Sequence, residues 1–478
     1  MMPISSAKKS ILALASITLS ACMTTGPDYE QPGFASYQDE WLAGDSDVLS
    51  PGAMETQQWW QAFDDELLAS LVNDAASANL DIVEAQANID AARATVKSAN
   101  ASGFPMGALS AGVTRQKQSS ASFGADVPFE FPAQTQYSTG AEVSWEADLF
   151  GRVANSIAQA EASLGGRQAI AEDTARAVIA QTASTYLTLR ELDTRISVNQ
   201  ATLERQVDVL ELTRQLRDAG EVADIDVERQ ANLVESTRAG IVAVKRTRAE
   251  TLSGLARLTG RTAPQLIDAY PALAPFESNE LAPVTAFAPI KVSSPVNLLR
   301  RRPDVRAAER QLAAATYAVG VETADLYPSL SLTGQASFTA NEPGNLFSQE
   351  ALGYSFGPRL QWGIFNWPLT QAQIDQAEAE ARAARAGFER TVLTALTETD
   401  AALQAYNYSV EEAALRAKAL GAAERALKLV EIRYKEGAES LLSLIDAQRQ
   451  TLSARDSEVQ ARHEALRRRV DVYRAFGG

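Results

Sequence analysis

The 478-residue chain has one cysteine and one histidine. A single cysteine excludes an intrachain disulfide, and the two residues together leave little material for a metal site or a nucleophilic triad. No run of 18 apolar residues occurs, so no membrane-spanning helix is expected. A phosphate-binding glycine loop with its lysine is absent. Cations are scarce, 44 against 60 acidic residues for a net charge of −16, which argues against nucleic acid as a partner. His463 sits in a charged helical stretch, Gln460-Ala-Arg-His-Glu464, and is expected to be a solvated surface residue. The many carboxylates read as solvated helix faces rather than catalytic pairs. No enzyme, metal or cofactor is expected.

What is present begins at the N-terminus. Lys8 and Lys9 precede an apolar run, Ile11 to Leu19, followed by Ser20-Ala21-Cys22. A basic start, a short apolar core and small residues before a cut form a secretory signal, too short to span a bilayer. Leu19-Ser20-Ala21-Cys22 resembles a bacterial lipoprotein signal. That implies removal of residues 1–21 and a covalent lipid, palmitate included, on Cys22. The bland alternative is an incidental thiol within the signal. In lipoproteins an Asp after the cysteine marks retention at the inner membrane. Met23 and Thr24 stand here instead, which favours the outer membrane. The mature chain would carry 42 basic and 60 acidic residues, a net charge of −18.

The chain repeats itself at long range. Trp145 recurs as Trp362, Arg217-Asp-Ala-Gly220 as Tyr434-Lys-Glu-Gly437, and Leu258-Thr-Gly260 as Ala475-Phe-Gly477, each 217 positions later. Phe104-Pro105 recurs as Tyr327-Pro328, 223 positions later. The first copy therefore holds six more residues between its strands. Each half reads as helix, strand, loop, strand, long helix, tip, helix. The first half (65–260) has a helix over 65–102, strands over 106–117 and 137–149, a long helix over 152–218, a tip at 219–223 and a helix over 224–258. The second half (301–478) has a helix from Arg302-Pro303 to Asp325, strands over 329–339 and 351–364, a long helix over 369–435, a tip at 436–439 and a helix over 440–475. Residues 22–64 precede the repeats. A linker, 261–300, joins them and carries Pro264, Pro271, Pro275, Pro283, Pro289 and Pro295, which block long helices.

All four strands alternate apolar and polar residues over a membrane-spanning length. In 137–149, Trp145 stands near the end of the apolar face, before Ala147 and Leu149, while Glu142, Glu146 and Asp148 lie on the polar one. Pro358 requires an unpaired or bulged position. Each long helix runs about 67 residues, roughly 100 Å at 1.5 Å per residue, with a glycine placed to end it. Four strands cannot close a barrel, and an open sheet edge is not tolerated in lipid. The chain must therefore oligomerise, with eight strands in a dimer or twelve in a trimer. The polar strand faces would line a wet passage.

Several stretches carry a resemblance: Ser144-Trp-Glu-Ala-Asp-Leu-Phe-Gly-Arg152, Arg301-Arg-Pro-Asp-Val-Arg306, Trp362-Gly-Ile-Phe-Asn-Trp367, Tyr434-Lys-Glu-Gly437, Leu444-Ile-Asp-Ala-Gln-Arg449 and Tyr473-Arg-Ala-Phe-Gly-Gly478. By these the chain resembles the outer-membrane efflux proteins, the TolC-like outer-membrane factors, in their lipoprotein branch. The resemblance implies a homotrimer, mostly α with membrane β. A twelve-stranded outer-membrane β-barrel, four strands per chain, would continue into a periplasmic α-helical barrel about 100 Å long. Residues 22–64, the linker and the C-terminus would form an equatorial belt. Trp145 and Trp362 would belong to the periplasmic aromatic girdle, and Glu142, Glu146 and Asp148 would line the lumen. The implied partners are an inner-membrane RND-type pump, a periplasmic adaptor and the lipid bilayer.

The resemblance also places a periplasmic gate at Tyr434, Leu442, Asp446 and Arg449. Three copies of Leu442 would form an apolar ring and three of Asp446 an acidic one. The plain alternative is an ordinary surface pair between Asp446 and Arg449, worth under ~1 kcal/mol. The corresponding first-half residues are Arg229 and Asn232, so only the second tip would supply an acidic ring. The function implied is passive multidrug efflux. A channel for type I protein secretion is the alternative, and a periplasmic coiled-coil scaffold held only by Cys22 is a third reading.

Overall fold

The computed structural model describes residues 24–477 apart from 35–36, 38–39, 44–45, 47, 56, 118, 120–131 and 275–288. The signal segment, Cys22, Pro275 and Pro283 lie outside the described residues. No described helix is long and apolar enough to cross a membrane. Six strands are described. Strands β1 (Leu49–Pro51) and β4 (Ile290–Val292) pair in parallel; β2 (Met106–Gln116), β3 (Gln134–Ala147), β5 (Ser329–Ala340) and β6 (Leu352–Gln361) form an antiparallel sheet in the order β2-β3-β5-β6. The helices are α1 (Glu66–Ala78), α2 (Leu80–Ser102), α3 (Arg152–Asp218), α4 (Asp224–Leu258), α5 (Ala263–Ala269), α6 (Pro295–Arg301), α7 (Pro303–Ala324), α8 (Trp367–Lys435) and α9 (Leu441–Ala475).

The chain divides into two compact units. One comprises the residues up to Pro32, Asn88–Arg167 and Ala307–Glu389; the other comprises Gly33–Ala87, Gln168–Arg306 and Arg390–Gly478. Both units draw on both repeats, and the N-terminal segment expected as one piece over 22–64 is shared between them.

The first unit contains the four-stranded sheet, whose register sorts its side chains. Leu109 lies opposite Ala141, Ala141 opposite Ala336, and Ala336 opposite Tyr354; Trp145 lies opposite Leu332, and Leu332 opposite Pro358. Leu109, Val113, Val143, Trp145, Tyr354 and Phe356 thus share one face and are exposed. The other face carries Ser110, Gly140, Ser337 and Gly353 in one row. A slip of one residue in any pairing would transfer a whole strand's apolar set to the polar face. Pro358 keeps unbroken register on the edge strand β6, so no bulge is needed. Residues 24–29 pack on this unit. Thr25 donates its N–H and its hydroxyl to the Phe150 carbonyl, and the Asn155 amide donates to the Thr25 carbonyl. The Tyr29 hydroxyl donates to Glu309. Gly165-Gly166 does not interrupt α3. A Cβ at Gly165 would meet Arg310 Cδ at 3.0 Å, so the small residue admits a neighbouring side chain rather than bending the helix.

The second unit corrects two expectations. The helix expected over 65–102 is two helices, broken at Asn79. There the backbone is extended, the side-chain oxygen accepts from Asp81 N–H (2.9 Å), and the amide donates to the Leu258 carbonyl (3.0 Å). Capping α2 and binding the end of α4 make the break a tertiary joint. His463, expected on the surface, is 3% exposed. It lies on the packed face of α9 with Leu466, Val470 and Tyr473. Neither ring nitrogen meets hydrogen-bond geometry with a described residue. Burial first, then the charges of Arg462 and Arg467, push its pKa down to about 4, with Arg190 adding to the effect and the Leu187 backbone opposing it. The imidazole is therefore neutral at physiological pH.

Polar anchors hold the unit's ends. Asp65 caps α1 by accepting from Leu67 and Leu68 N–H, and its other oxygen accepts from the buried Tyr186 hydroxyl at 2.7 Å. Arg248, buried on α4, pairs with the buried Asp193 on α3 and donates to the Leu273 and Ala274 carbonyls of the linker. Arg302 donates to Asp304, to Glu398 and to the Ala475 carbonyl. The Arg301-Arg302-Pro303-Asp304 motif therefore ties the start of α7 to the end of α9. Tyr473 stacks on Trp59 at 5.1 Å, and Phe476 meets Trp41 edge-on at 5.6 Å. The C-terminal motif is thus held against the N-terminal segment.

Candidate functional site

Two turns follow the long helices. Gly220 has φ +80° and Gly437 φ +73°. Around the first, Glu221 N–H reaches the Leu216 carbonyl and Gly220 N–H the Arg217 carbonyl. Around the second, Ala438 N–H reaches Arg433 and Gly437 N–H reaches Tyr434. Both turns are Schellman motifs, in which a left-handed residue lets two N–H groups satisfy the last helical carbonyls. Ser440 then starts α9 by accepting from Ser443 N–H at 3.1 Å.

The four expected gate residues separate into two groups. Leu442, Asp446 and Arg449 recur at i, i+4 and i+7 on α9, so they share one face, and all three are exposed. Asp446 and Arg449 make no ion pair with each other or with any other described residue of this chain. The surface pair weighed from the sequence is not formed. Tyr434 points elsewhere. It packs on the cluster of Leu233, Leu427, Leu441, Leu444 and Ile445. Burial of its phenol, chiefly, raises the pKa. That cluster lies behind the exposed face of α9 and holds α4, α8 and α9 together beside the turn.

The first turn differs in charge. At the positions matching Leu442, Asp446 and Arg449 it carries Ile225, Arg229 and Asn232, again exposed. Arg229 pairs with Asp226 at 3.5 Å, and Arg217 pairs with Asp218 and Asp224.

In the first unit the strand ends are pinned in the same way in both repeats. The Trp145 indole donates to the Gly103 carbonyl at 2.9 Å, and the Trp362 indole to the Leu326 carbonyl at 3.0 Å. The strand expected to reach Leu149 stops at Ala147. Asp148 instead accepts from Ala154 N–H in the first turn of α3. Glu146 forms a bidentate pair with Arg152, at 2.8 and 2.6 Å, which balances its charge. Of the three acidic residues on the polar face, only Glu142 is an exposed carboxylate with no partner among the described residues. Sequence reasoning missed the role of Arg152, although its place six residues after Glu146 was in view.

Comparison with known proteins extends this picture. The family described as outer membrane efflux protein matches residues 71–261 and 295–478, one match in each repeat. Nodulation protein T of Rhizobium leguminosarum bv. trifolii is 32% identical over 91% of this chain and 89% of its own length. The pyoverdine export outer membrane protein OpmQ of Pseudomonas aeruginosa is 30% identical over 99% of this chain and 97% of its own. Among solved structures, the outer-membrane channel OprN is 34% identical with a TM-score of 0.85, covering 95% of this chain and 99% of that one. The fold class is theirs: mostly α with membrane β, two internal repeats, and a homotrimer whose four strands per chain make a twelve-stranded outer-membrane barrel and whose long helices make an α-helical one. Localisation is the Gram-negative outer membrane, with a long periplasmic portion. This chain belongs to the outer membrane efflux protein family, whose members are channels and not enzymes.

Proposed function

We propose that the chain is the outer-membrane channel of a tripartite efflux system, passing drugs or other small molecules handed on by an inner-membrane RND-type pump. Export through it is passive, because the pump supplies the energy. A periplasmic adaptor docks at the helical tips and biases them open. Cys22 carries the lipid that anchors the N-terminus in the outer membrane. OpmQ, by its name an exporter of pyoverdine, supports small-molecule cargo over secreted protein.

The observation that carries the gating part is the exposed face of α9 at the second turn. A carboxylate and a guanidinium that find no partner in their own chain are available to a neighbouring one. Three copies of Asp446 facing one another repel, so each needs a cation across the interface to hold the tips together. Arg449 supplies it, and opening exchanges that pair for adaptor contacts. Leu442 seals the narrowest ring against ions.

The test is conductance. In planar bilayers, Asp446→Ala with Arg449→Ala should conduct several-fold more than the native trimer, while Arg229→Ala alone changes little. Native conductance in the double variant would remove the pair from the gate. A strain lacking the gene should accumulate a dye or antibiotic. Normal efflux together with loss of a secreted protein would move the channel to type I secretion.

A further inference from the structure

The internal repeat holds residue by residue in the four-stranded sheet. Ala108 faces Glu142 in the first strand pair. Moving 223 positions along the first strand and 217 along the second gives Ser331 facing Arg359, which is the pair observed in the second repeat. Glu142 and Arg359 therefore occupy the same place in the two repeats, with opposite charge. Both lie on the polar face and are exposed. That face is otherwise nearly uncharged. Among its described residues on β2, β3, β5 and β6, the charged side chains are Glu142, Glu146 and Arg359. Glu146 is already held by Arg152. Glu142 and Arg359 make no ion pair with each other or with any other described residue of this chain. Their neighbours on β5 are Gln335 and Ser331, about 13 Å apart along the strand, and β3 and β6 stand two strand spacings apart, about 10 Å. The two charges are thus roughly 16 Å apart, beyond the Debye length of about 10 Å at 0.1 M salt.

We propose, on the reading that the polar face lines the passage, that Glu142 and Arg359 form one ring of alternating charge in the barrel, and that Arg359 is the residue that admits anions past this level. In the homotrimer six strand pairs stand around one axis, and equivalent places in them lie at one height. Three carboxylates therefore alternate with three guanidiniums. The whole chain carries a net charge of −16, and a passage lined by carboxylates alone gathers cations and repels anions. At the level where the barrel's unpaired charge stands, Arg359 cancels Glu142. The spacing keeps the ring from closing into salt bridges. It leaves separate cationic and anionic patches on the wall, so an anionic group passes along Arg359 and a cationic group along Glu142. Removal of Arg359 would leave three carboxylates and a purely acidic ring. The fold itself demands neither charge, because the same exposed place holds Glu in one repeat and Arg in the other. The difference between the repeats is therefore read as a property of the passage.

Local reaction rates test the ring. Ala108→Cys places a thiol beside Glu142, and Ser331→Cys places one at the matching position beside Arg359. Gln335→Cys, which also faces Glu142, serves if the first variant fails to assemble. Purified full-length trimers in detergent are treated with two methanethiosulfonates of similar size, one bearing a sulfonate and one a trimethylammonium group. The native chain reports any reaction of Cys22. At about 6 Å across the strand pair in a watery passage, one charge changes each rate roughly two-fold, in opposite directions for the two reagents, and their ratio roughly four-fold. Arg359→Ser should therefore lower the sulfonate-to-ammonium ratio at 331 about four-fold, and Glu142→Gln should raise it at 108 by the same factor. Exchange of the charges, Glu142→Arg with Arg359→Glu, keeps the ring and should interchange the two ratios. At about 0.01 M salt, where the Debye length reaches about 30 Å, Arg359→Glu should slow the sulfonate at 108 as well as at 331. Ratios that ignore the charges while both thiols react overturn the ring. An effect that stays at 331 at low salt overturns the shared level. Thiols that react with neither reagent in intact trimers overturn the lining of the passage by the polar face, and the ring with it.

Discussion

His463 should make the periplasmic portion acid-sensitive in a way that one substitution removes. An unfolded histidine takes up its proton near pH 6.5. In the folded chain burial and the neighbouring arginines push that uptake down to about 4. Between these values the unfolded chain binds a proton that the folded chain does not, so stability rises with pH across this window. Put the other way, stability is lost as pH falls from 6.5 toward 4, and the loss levels off below. The full difference is roughly 3 kcal/mol per chain. His463→Gln keeps a similar shape without the titration. The measurement is the difference in unfolding midpoint between native and variant trimers from pH 7.5 to 4, by circular dichroism in detergent. Contributions from Asp173 and Asp471, whose pKa values burial raises, are common to both proteins and cancel. The difference should be flat above pH 7 and grow in the variant's favour below 6.5. Because His463 is the only histidine, selective isotope labelling also follows its titration directly. A midpoint near 6.5, or a pH-independent difference, would refute the reasoning.

Three further outcomes follow from the packing. Arg248→Ala leaves the buried Asp193 with only the long pair to Arg190 at 3.9 Å and should destabilise the chain by about 3 kcal/mol, with Asp193→Ala in the same chain restoring part of the loss in a denaturant melt. Gly437→Ala meets no atom within 4 Å of the added Cβ, so its cost is the left-handed backbone alone, about 1 kcal/mol; Gly437→Asn should cost less, read as thermal midpoints. Trp145→Phe and Trp362→Phe each remove one indole hydrogen bond, worth about 1 kcal/mol, and each should lower the temperature of trimer dissociation on gels.

The sequence by itself carried whatever is periodic or local. Alternation at period two marked the strands from Met106 to Gln116 and from Ser329 to Ala340, because a pleat puts neighbours on opposite faces. The absence of proline between Arg152 and Asp218 marked the length of α3, and Gly220 and Gly437 marked its end and that of α8, since only a left-handed residue closes those turns without strain. The two repeat offsets were also written there, together with the face shared by Leu442, Asp446 and Arg449. Contacts across the chain were not. The break at Asn79 comes from the distant Leu258 carbonyl, and the pairing of β1 with β4 joins two short segments with no pattern of their own. His463 looked solvated because its sequence neighbours are charged, yet a helix turns successive residues to different sides, and α9 turns that one inward. Glu146 reads as a free lumen carboxylate in the sequence, yet Arg152 folds back on it, and the surface pair that spacing left open to Asp446 and Arg449 is not formed within the chain. Periodicity is set by the backbone and can be read from one segment. Burial and charge pairing depend on which remote segment arrives, and the tertiary structure alone decides that.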